Sequence, residues 1–486
     1  MSKNAKKRQS AKKKQVSSTK SKTLIVSKLL QQAQQYQKMG EWQKAEALYY
    51  QLLQKNPNHR KALDFYRQLA SALKNKGKVA EAIACYQRAL SFNPNDAEMQ
   101  NSLGSILGSQ GKLELAKDCF QKAVALKKNF AQAHYNLGMT LNGVKQFAEA
   151  ISSFKTAISI NPKITDAYIN LGNALYAEEK FSDAADSYQK AITLKPNYAI
   201  AHNNLGVALK KRDKITEAIA SFQQAIALNP NYLEAHNYLG TTFTEQSEFE
   251  KAEACFKTAI SINPNHADAY INLGNAFSAQ EKYSEAATFY QKAIALNPVN
   301  YAAEAHNNLG VAFTKLDKTK EAFESFQQAL ALNPDYVDAL LGFGDLLEEQ
   351  NDLTTAITCY QHALALEPNN ADVHSKLGFA FRDRAMINEA ITHHKRALEI
   401  EPTDWKNHNN LLFILNYSLE YEQAAIFSEH KRFNEQHAMP LAALMKAHLN
   451  ERHFSRRLKI GYVSADFRQH SVAFFIREVL AQHNHE

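Results

Sequence analysis

Several features are scarce in this chain of 486 residues, and each scarcity excludes a class of protein. No apolar run approaches the ~20 residues that a membrane-spanning helix needs. No apolar core follows the basic start, so the pattern of a secretory signal peptide is missing. The four cysteines share one position of an internal repeat, where stacked equivalents would stand ~8–10 Å apart, beyond disulfide reach. We therefore expect a cytoplasmic protein, or a nuclear one in a eukaryote, whose cysteines are reduced and buried: Cys85, Cys119, Cys255 and Cys359.

Proline is also rare, and its placement reveals the repeat. Ten of the eleven prolines fall on one lattice, usually 34 residues apart: Pro57, Pro94, Pro162, Pro196, Pro230, Pro264, Pro298, Pro334, Pro368 and Pro402. Glycines form a second lattice, 24 residues before the closing position of each unit: Gly104, Gly138, Gly172, Gly206, Gly240, Gly274, Gly310, Gly344 and Gly378. A period of this length indicates a repeat array. Glycine weakens a helix by about 1 kcal/mol relative to alanine, so its recurrence predicts close helix packing.

One unit, residues 165–196, shows why each repeat is a pair of helices. Apolar side chains recur at helical spacing in two runs, one around Leu171 and one around Tyr188. Pro196 ends the second run because it lacks an amide donor and clashes with the preceding turn. Ser182 predicts the start of the second helix, since its hydroxyl can cap free backbone N–H groups. The same start is predicted at Thr216 and Ser284. Each unit is therefore predicted to be a hairpin of two helices of about 13 residues.

The Leu-Gly pair, the Ala-x3-aromatic spacing and the closing proline resemble the tetratricopeptide repeat family over most of residues 26–402. The resemblance implies an all-α fold, a right-handed superhelical solenoid of about 11–12 helical hairpins. We expect the array to occupy residues 24–404 and a divergent hairpin to occupy residues 405–437. A linker over residues 438–457 then leads to a single C-terminal βα unit at residues 458–486.

The positive charge of the chain is concentrated at its start. Residues 1–22 contain nine lysines and arginines and no acid, and the rest of the chain is balanced, with 48 basic and 49 acidic residues. Residues 1–23 are expected to form a disordered Lys-rich tail. Such a tail suits nucleic acid, an anionic surface or a nuclear import receptor, and it equally suits a solubilising role.

A row of asparagines marks a candidate binding surface. These residues stand two positions before the repeat glycine or at the matching place in the last hairpin: Asn136, Asn170, Asn204, Asn272, Asn308 and Asn410. An amide offers donors and an acceptor, so the row predicts binding of proteins or extended peptides. The alternative is that each amide satisfies local backbone or water. Tyr238, Gly342 and Lys376 interrupt the row. The sequence leaves homodimerisation through the outer face open.

Histidines share a second position of the repeat: His134, His202, His236, His306, His374 and His408. Tyr168 and Tyr270 fill the same position elsewhere, which favours packing of a flat, partly polar ring over metal binding. We expect no metal site.

The residues after the array are more specific. The run from Lys459 to Phe467, KIGYVSADF, followed by His470, resembles the opening of the catalytic domain in the protein O-linked N-acetylglucosamine transferase family, glycosyltransferase family 41. The resemblance implies transfer of N-acetylglucosamine from UDP-GlcNAc, the donor substrate, to Ser or Thr hydroxyls, without a metal. It places His470 beside the sugar nucleotide as a catalytic or binding residue. Phe474 stands where many members have a second histidine.

Only about 30 residues of that domain are present, so we expect the chain alone to be catalytically incomplete and to bind no cofactor of its own. The first hypothesis is a transferase of this family reduced to its substrate-binding repeats and the start of its catalytic domain. The alternative is a non-enzymatic repeat scaffold that mediates protein–protein interactions.

Overall fold

The computed structural model describes residues 25–296 and 301–440, and every regular element in that part of the chain is helical. The helices form two units with a boundary between Leu366 and Glu367. Unit 1 contains α1 (25–38), α2 (Trp42–Lys55), α3 (Arg60–Asn75), α4 (Val79–Phe92), α5 (Ala97–Ser109), α6 (Leu113–Leu126), α7 (Ala131–Gly143), α8 (Phe147–Ile160), α9 (Thr165–Ala177), α10 (Phe181–Leu194), α11 (Ala199–Lys211), α12 (Ile215–Leu228), α13 (Leu233–Glu245), α14 (Phe249–Ile262), α15 (Ala267–Ser278), α16 (Tyr283–Ala295), α17 (Ala302–Lys315), α18 (Thr319–Leu332), α19 (Val337–Glu349) and α20 (Leu353–Leu366). Unit 2 contains α21 (Ala371–Asp383), α22 (Ile387–Ile400), α23 (Trp405–Leu415), α24 (Gln423–Phe433) and a π-helix (Asn434–Ala438).

Consecutive helices pair into hairpins, which confirms the predicted all-α repeat fold. In a typical hairpin the first helix has 13 residues and the second has 14, as in α9 and α10. The predicted βα unit at residues 458–486, most of the linker before it and the Lys-rich tail lie outside the described residues. Those parts of the fold stay predictions.

In eleven hairpins, from α1–α2 to α21–α22, the turn between the two helices contains one residue with left-handed backbone. Glycine supplies it in the first three hairpins, at Gly40, Gly77 and Gly111, where φ is 72° to 76°. The later hairpins use other residues with φ between 56° and 62°: Lys145, Glu179, Asp213, Ser247, Glu281, Asp317, Asn351 and Ala385. Side chains with a Cβ carry steric strain in this region, so these turns are held by the packing of the two helices they join.

The predicted caps at the second helices are wrong. Helix α10 begins at Phe181, and its N-cap Lys180 makes no side-chain cap hydrogen bond. Ser182 lies inside the first turn of the helix. The left-handed turn at Glu179 starts the helix one residue early, and Phe181 then packs edge-on against Tyr176 with ring centroids 5.1 Å apart. Helices α12 and α16 begin in the same way, so Thr216 and Ser284 are also inside their helices.

The glycine lattice has the packing role that its recurrence predicts. Each repeat glycine of a first helix lies against a ring of the second helix in the same hairpin. A Cβ at Gly104 would be 2.8 Å from Cε1 of Phe120, and one at Gly206 would be 2.6 Å from Cε1 of Phe222. Real Cβ atoms do not approach carbon so closely, so only glycine allows these two helices to meet at this distance.

Successive hairpins of unit 1 pack mainly through the second helix of one and the first helix of the next, and their first helices also contact one another directly. Helix α9 contacts α11, and α11 contacts α13, although a whole helix separates each pair in sequence. The same direct contact joins α5 to α7, α7 to α9, α13 to α15, α15 to α17 and α17 to α19. We call the surface built by α5, α7, α9, α11, α13, α15, α17 and α19 the first-helix face.

The cysteines lie in second helices as unpaired thiols. Cys85, Cys119 and Cys359 are buried, and Cys255 is half-buried. Burial raises the pKa of all four thiols, to about 11 for Cys85 and Cys255. A thiol of this kind is protonated at neutral pH and packs as a small apolar side chain, as the shared repeat position predicts.

Unit 2 replaces several apolar contacts of the repeat with polar ones. His394 takes the aromatic position against Gly378, where a Cβ would be 2.7 Å from the ring. The buried amide of Asn407 donates to the His394 carbonyl at 3.0 Å and lies 2.6 Å from His394 Nδ1 through its Oδ1. In the last hairpin, buried His408 donates through Nε2 to Glu429 Oε1 at 2.9 Å. Hydrogen bonds between side chains therefore stabilise α22, α23 and α24.

Candidate peptide-binding face

The structure places five of the six candidate asparagines on the first-helix face. They lie one each in α7, α9, α11, α15 and α17, and all are partly exposed: Asn136, Asn170, Asn204, Asn272 and Asn308. The sixth, Asn410, is partly exposed in α23 of unit 2. The candidate catalytic residue His470 lies outside the described residues.

These asparagines hydrogen-bond between neighbouring first helices. Asn136 Nδ2 donates to Asn101 Oδ1 at 2.9 Å, and Asn272 Nδ2 donates to Asn237 Oδ1 at 3.0 Å. An amide NH2 group has two hydrogens, and Asn272 uses one of them within the described part of the chain. The row therefore joins the hairpins and, at such positions, keeps a donor for another molecule.

Around α9 to α11 the amides form a directed network. Tyr188 donates through its hydroxyl to Asn173 Oδ1 at 2.8 Å, and Asn204 Nδ2 donates to the same oxygen at 3.1 Å. Asn203 Nδ2 then donates to Asn204 Oδ1 at 3.2 Å. Asn203 is 4% exposed, and within the described residues its own Oδ1 is buried without a partner. The network uses the oxygens of Asn173 and Asn204 and leaves amide hydrogens unused.

The same network recurs around α15 to α17. Tyr290 donates to Asn275 Oδ1 at 2.7 Å, and Asn308 Nδ2 donates to that oxygen at 3.1 Å. Asn307 Nδ2 donates to Asn308 Oδ1 at 3.1 Å, and its own Oδ1 is again buried and unpartnered among the described residues. Two copies with matching distances show that this is a built arrangement of the repeat.

A cavity of about 230 Å³ lies at the first network. Its lining residues are Asn173, Tyr176, Tyr188, Asn203, Asn204, Val207 and Tyr238. Packing holds the two outer tyrosines in place. Tyr176 contacts the ring of Phe181, and Tyr238 stacks on Phe222 with centroids 5.9 Å apart and planes 16° apart. Asn173, Asn203 and Tyr176 were not among the residues predicted from the sequence, and Tyr238 was predicted only as an interruption of the asparagine row.

A larger cavity, about 610 Å³, lies among α2, α3 and α4. Its charged groups are paired with one another or with close neighbours. Glu46 bonds to Arg88, and Glu81 pairs with Lys78 at 2.8 Å. A ligand there would have to displace ion pairs, so this cavity is the weaker candidate for recognition.

The shared histidine position has a packing role. The rings of His202 and His236 donate through Nε2 to the carbonyls of Pro196 and Pro230, each at 2.9 Å. His134 bonds in the same way to the Lys128 carbonyl at 3.0 Å. In these three repeats the histidine therefore joins the first helix to the residue that closes the preceding hairpin. Within the described residues, no group of three or more His, Cys, Asp or Glu is arranged to hold a metal ion.

Fold and face together define a helical-hairpin solenoid with a polar, amide-rich surface. Comparison with known families assigns the repeat. Residues 125–336 match the model of the cilia and flagella-associated protein 70 C-terminal domain, and tetratricopeptide-repeat models match residues 29–59, 70–111, 104–141 and 344–384. The chain is a tetratricopeptide repeat protein. These matches give no support to the glycosyltransferase resemblance.

Several solved structures are similar to parts of the chain. One is YrrB, described as a TPR protein with an unusual peptide-binding site, with 27% identity and a TM-score of 0.34, covering 38% of this chain and 95% of that one. Yeast Tom70 has 16% identity and a TM-score of 0.46, covering 87% and 99%. The Cut9–Hcn1 hetero-tetramer of the APC/C has 16% identity and a TM-score of 0.45, covering 80% and 96%.

A search of curated protein sequences found no match to the chain. Within the described residues, no helix is both long and apolar enough to cross a membrane.

Proposed function

We propose that this protein is an interaction scaffold that binds an extended segment of a partner protein on the first-helix face of unit 1. The observation that carries the proposal is the asparagine row with its unused amide hydrogens, at Asn204, Asn272 and Asn308. An extended peptide advances about 3.3 Å per residue, and packed helices are ~8–10 Å apart. One asparagine per helix therefore meets about every third residue of the partner. Contacts to the peptide backbone make such binding tolerant of sequence.

The test is selection of peptides from a random display library on the purified chain, followed by affinity measurement with an enriched peptide. The variant Asn204→Ala/Asn272→Ala should bind about tenfold or more weakly, because it removes two hydrogen-bonding amides. The matched control is Gln189→Ala/Gln223→Ala, which changes exposed amides on second helices. Circular dichroism verifies that both variants stay helical. Enrichment that fails altogether, or equal losses in variant and control, would contradict the proposal.

A second candidate function is that of the substrate-binding arm of a protein O-linked N-acetylglucosamine transferase. It is favoured by the resemblance of residues 459–470 to the start of that catalytic domain, and by an amide row suited to many protein substrates. In this hypothesis His470 contacts the sugar nucleotide and UDP-GlcNAc is the donor. Calorimetric titration with UDP tests this hypothesis. UDP binding that is lost in His470→Ala would support the transferase. Peptide binding without UDP binding would contradict it and support the non-enzymatic scaffold.

The basic N-terminal residues and the location of the protein complete the proposal. The nine positive charges of residues 1–22 favour an anionic surface or nucleic acid as a second contact. Salt-dependent binding to RNA or DNA that persists after deletion of residues 1–22 would disprove that role. Four protonated, unlinked thiols favour a reducing compartment, so we place the scaffold in the cytoplasm.

A further inference from the structure

The cavity between Tyr176 and Tyr238 distinguishes one segment of the first-helix face from the rest. The amide network of Asn173, Asn203 and Asn204 lines it together with tyrosine rings, of which we call Tyr176 and Tyr238 the walls. Tyr238 is 40% exposed although its ring rests on Phe222, so one side of the ring is available to a ligand. The inference that follows rests on the proposed function, because it names what the face recognises at this point.

The hydrogen-bonding groups of the cavity favour a ligand that accepts. Asn173 Oδ1 already accepts from Tyr188 and Asn204, and Asn204 Oδ1 accepts from Asn203. The remaining amide oxygen, Oδ1 of Asn203, is sealed from the surface. Donors are in surplus: the Asn173 amide makes no hydrogen bond through Nδ2 within the described residues, and each amide NH2 offers two hydrogens.

The walls add a second requirement. Tyrosine rings offer flat apolar surfaces with a hydroxyl at the edge. Among the described residues that line the cavity, none is charged, so a cation or an anion would gain no ionic partner there. A suitable ligand is therefore uncharged, has a compact apolar body, brings carbonyl acceptors and has few N–H donors of its own to satisfy.

We propose that this cavity binds a proline of an extended partner peptide. Proline has an apolar ring and no backbone N–H, and a polyproline II segment leaves its carbonyls unbonded. Aromatic-lined grooves recognise such segments by ring contact and by donors to those carbonyls. The proline ring lies between Tyr176 and Tyr238, and neighbouring peptide carbonyls accept from the amides of Asn173 and Asn204.

The chain contains its own control in the second copy of the network. Around Asn275, Asn307 and Asn308 the amide bonds are the same, but Ser278 and Gly342 stand where the first copy has Tyr176 and Tyr238. The second copy therefore has the backbone-binding amides without aromatic walls. Proline selectivity belongs to the first copy alone.

The experiment compares two fluorescein-labelled peptides, one with consecutive prolines and one with alanines in their place, by fluorescence anisotropy. The wild-type chain should bind the proline peptide about tenfold more tightly, since one aromatic contact contributes about that factor. The variant Tyr176→Ser/Tyr238→Asn uses residues that other repeats hold at these positions and should lose the preference. Tyr238→Phe, which keeps the ring, should retain most of it.

A matched variant separates this inference from the function it rests on. Asn272→Ala, elsewhere on the face, should weaken both peptides alike. Equal wild-type affinities for the two peptides, or a preference that survives in Tyr176→Ser/Tyr238→Asn, overturns the proline site. The library selection distinguishes the proline site from the scaffold function. Enriched peptides without proline would contradict the proline site and still support the scaffold, whereas no enrichment would refute both proposals.

Discussion

The substitution Gly104→Ala tests whether the glycine lattice sets the distance between the two helices of a hairpin. A Cβ at this position would lie 2.8 Å from Cε1 of Phe120 and 3.0 Å from both Cδ1 and Cζ. Phe120 is 3% exposed, so its ring is enclosed by neighbours and has no free space to enter. Either the ring leaves its rotamer or α5 moves away from α6, and both lose buried contact.

The expected cost follows from two opposing effects. Overpacking a well-filled core costs ~1–3 kcal/mol, whereas alanine favours a helix over glycine by about 1 kcal/mol. The free energy of unfolding should therefore fall by about 1–2 kcal/mol. Gly108→Ala, one helical turn later in α5, is the matched control, because the nearest atom to its Cβ would be Cβ of Ala116 at an ordinary 3.8 Å. It should leave stability unchanged or raise it by up to about 1 kcal/mol.

Hydrogen exchange of the α5 and α6 amides is the appropriate assay, since repeat arrays unfold in parts and a single melting temperature averages over them. Amides there should exchange about tenfold faster in Gly104→Ala, with α15 and α16 unchanged. The double variant Gly104→Ala/Phe120→Leu should recover part of the loss, because a smaller side chain vacates the clash. Wild-type protection in Gly104→Ala, or an equal loss in Gly108→Ala, would refute the packing argument.

Two further predictions concern the hairpin turns and the histidines of unit 2. Glu179→Gly should raise the unfolding free energy by about 1 kcal/mol in urea denaturation, because it relieves a left-handed backbone, whereas Gly111→Ala at the equivalent turn should lower it by at least as much. In unit 2, burial lowers the pKa of His393 to about 4. His374 contributes to this lowering, since its Nδ1 lies 2.9 Å from Nδ1 of His393. Since the unfolded value is about 6.5, the stability from neutral His393 is present above that pH and is lost as the pH falls towards 4. Hydrogen-exchange protection of the α21 and α22 amides should decline between about pH 6.5 and 4, and the decline should be smaller in His393→Gln. An identical decline in the variant would show that His393 is not the group responsible.

The repeat and its packing were predictable because every unit packs two helices against each other with the same residues at the same positions. Nine glycines and ten prolines recur with the period of a helical hairpin, so many copies of a weak signal reinforce one another. The helix starts were not predictable from Ser182 and its equivalents. The decisive feature there is the left-handed residue, which is glycine at Gly111 but glutamate at Glu179. Residue type does not predict a left-handed turn where helix packing imposes that backbone conformation.

The amide networks can be recognised in the sequence only when positions in two neighbouring hairpins are considered together. Each network needs an asparagine after the glycine of one hairpin and two asparagines before the glycine of the next, as at Asn173 with Asn203 and Asn204. The sequence carries this coupling: Gly-Asn-Ala followed a unit later by Asn-Asn-Leu-Gly-Val occurs at both networks. Considered singly, the residues before the glycine predict one peptide-binding row that Tyr238, Gly342 and Lys376 interrupt.

Considered across neighbouring hairpins, the same residues form two separate networks on the first-helix face. The two networks differ in the residue at the asparagine-row position of the following hairpin. At the first network Tyr238 adds an aromatic wall, and at the second Gly342 adds none. The position that interrupts the asparagine row is therefore the one at which a repetitive surface acquires a single, distinguishable site. A bound peptide would take its register on the face from that site.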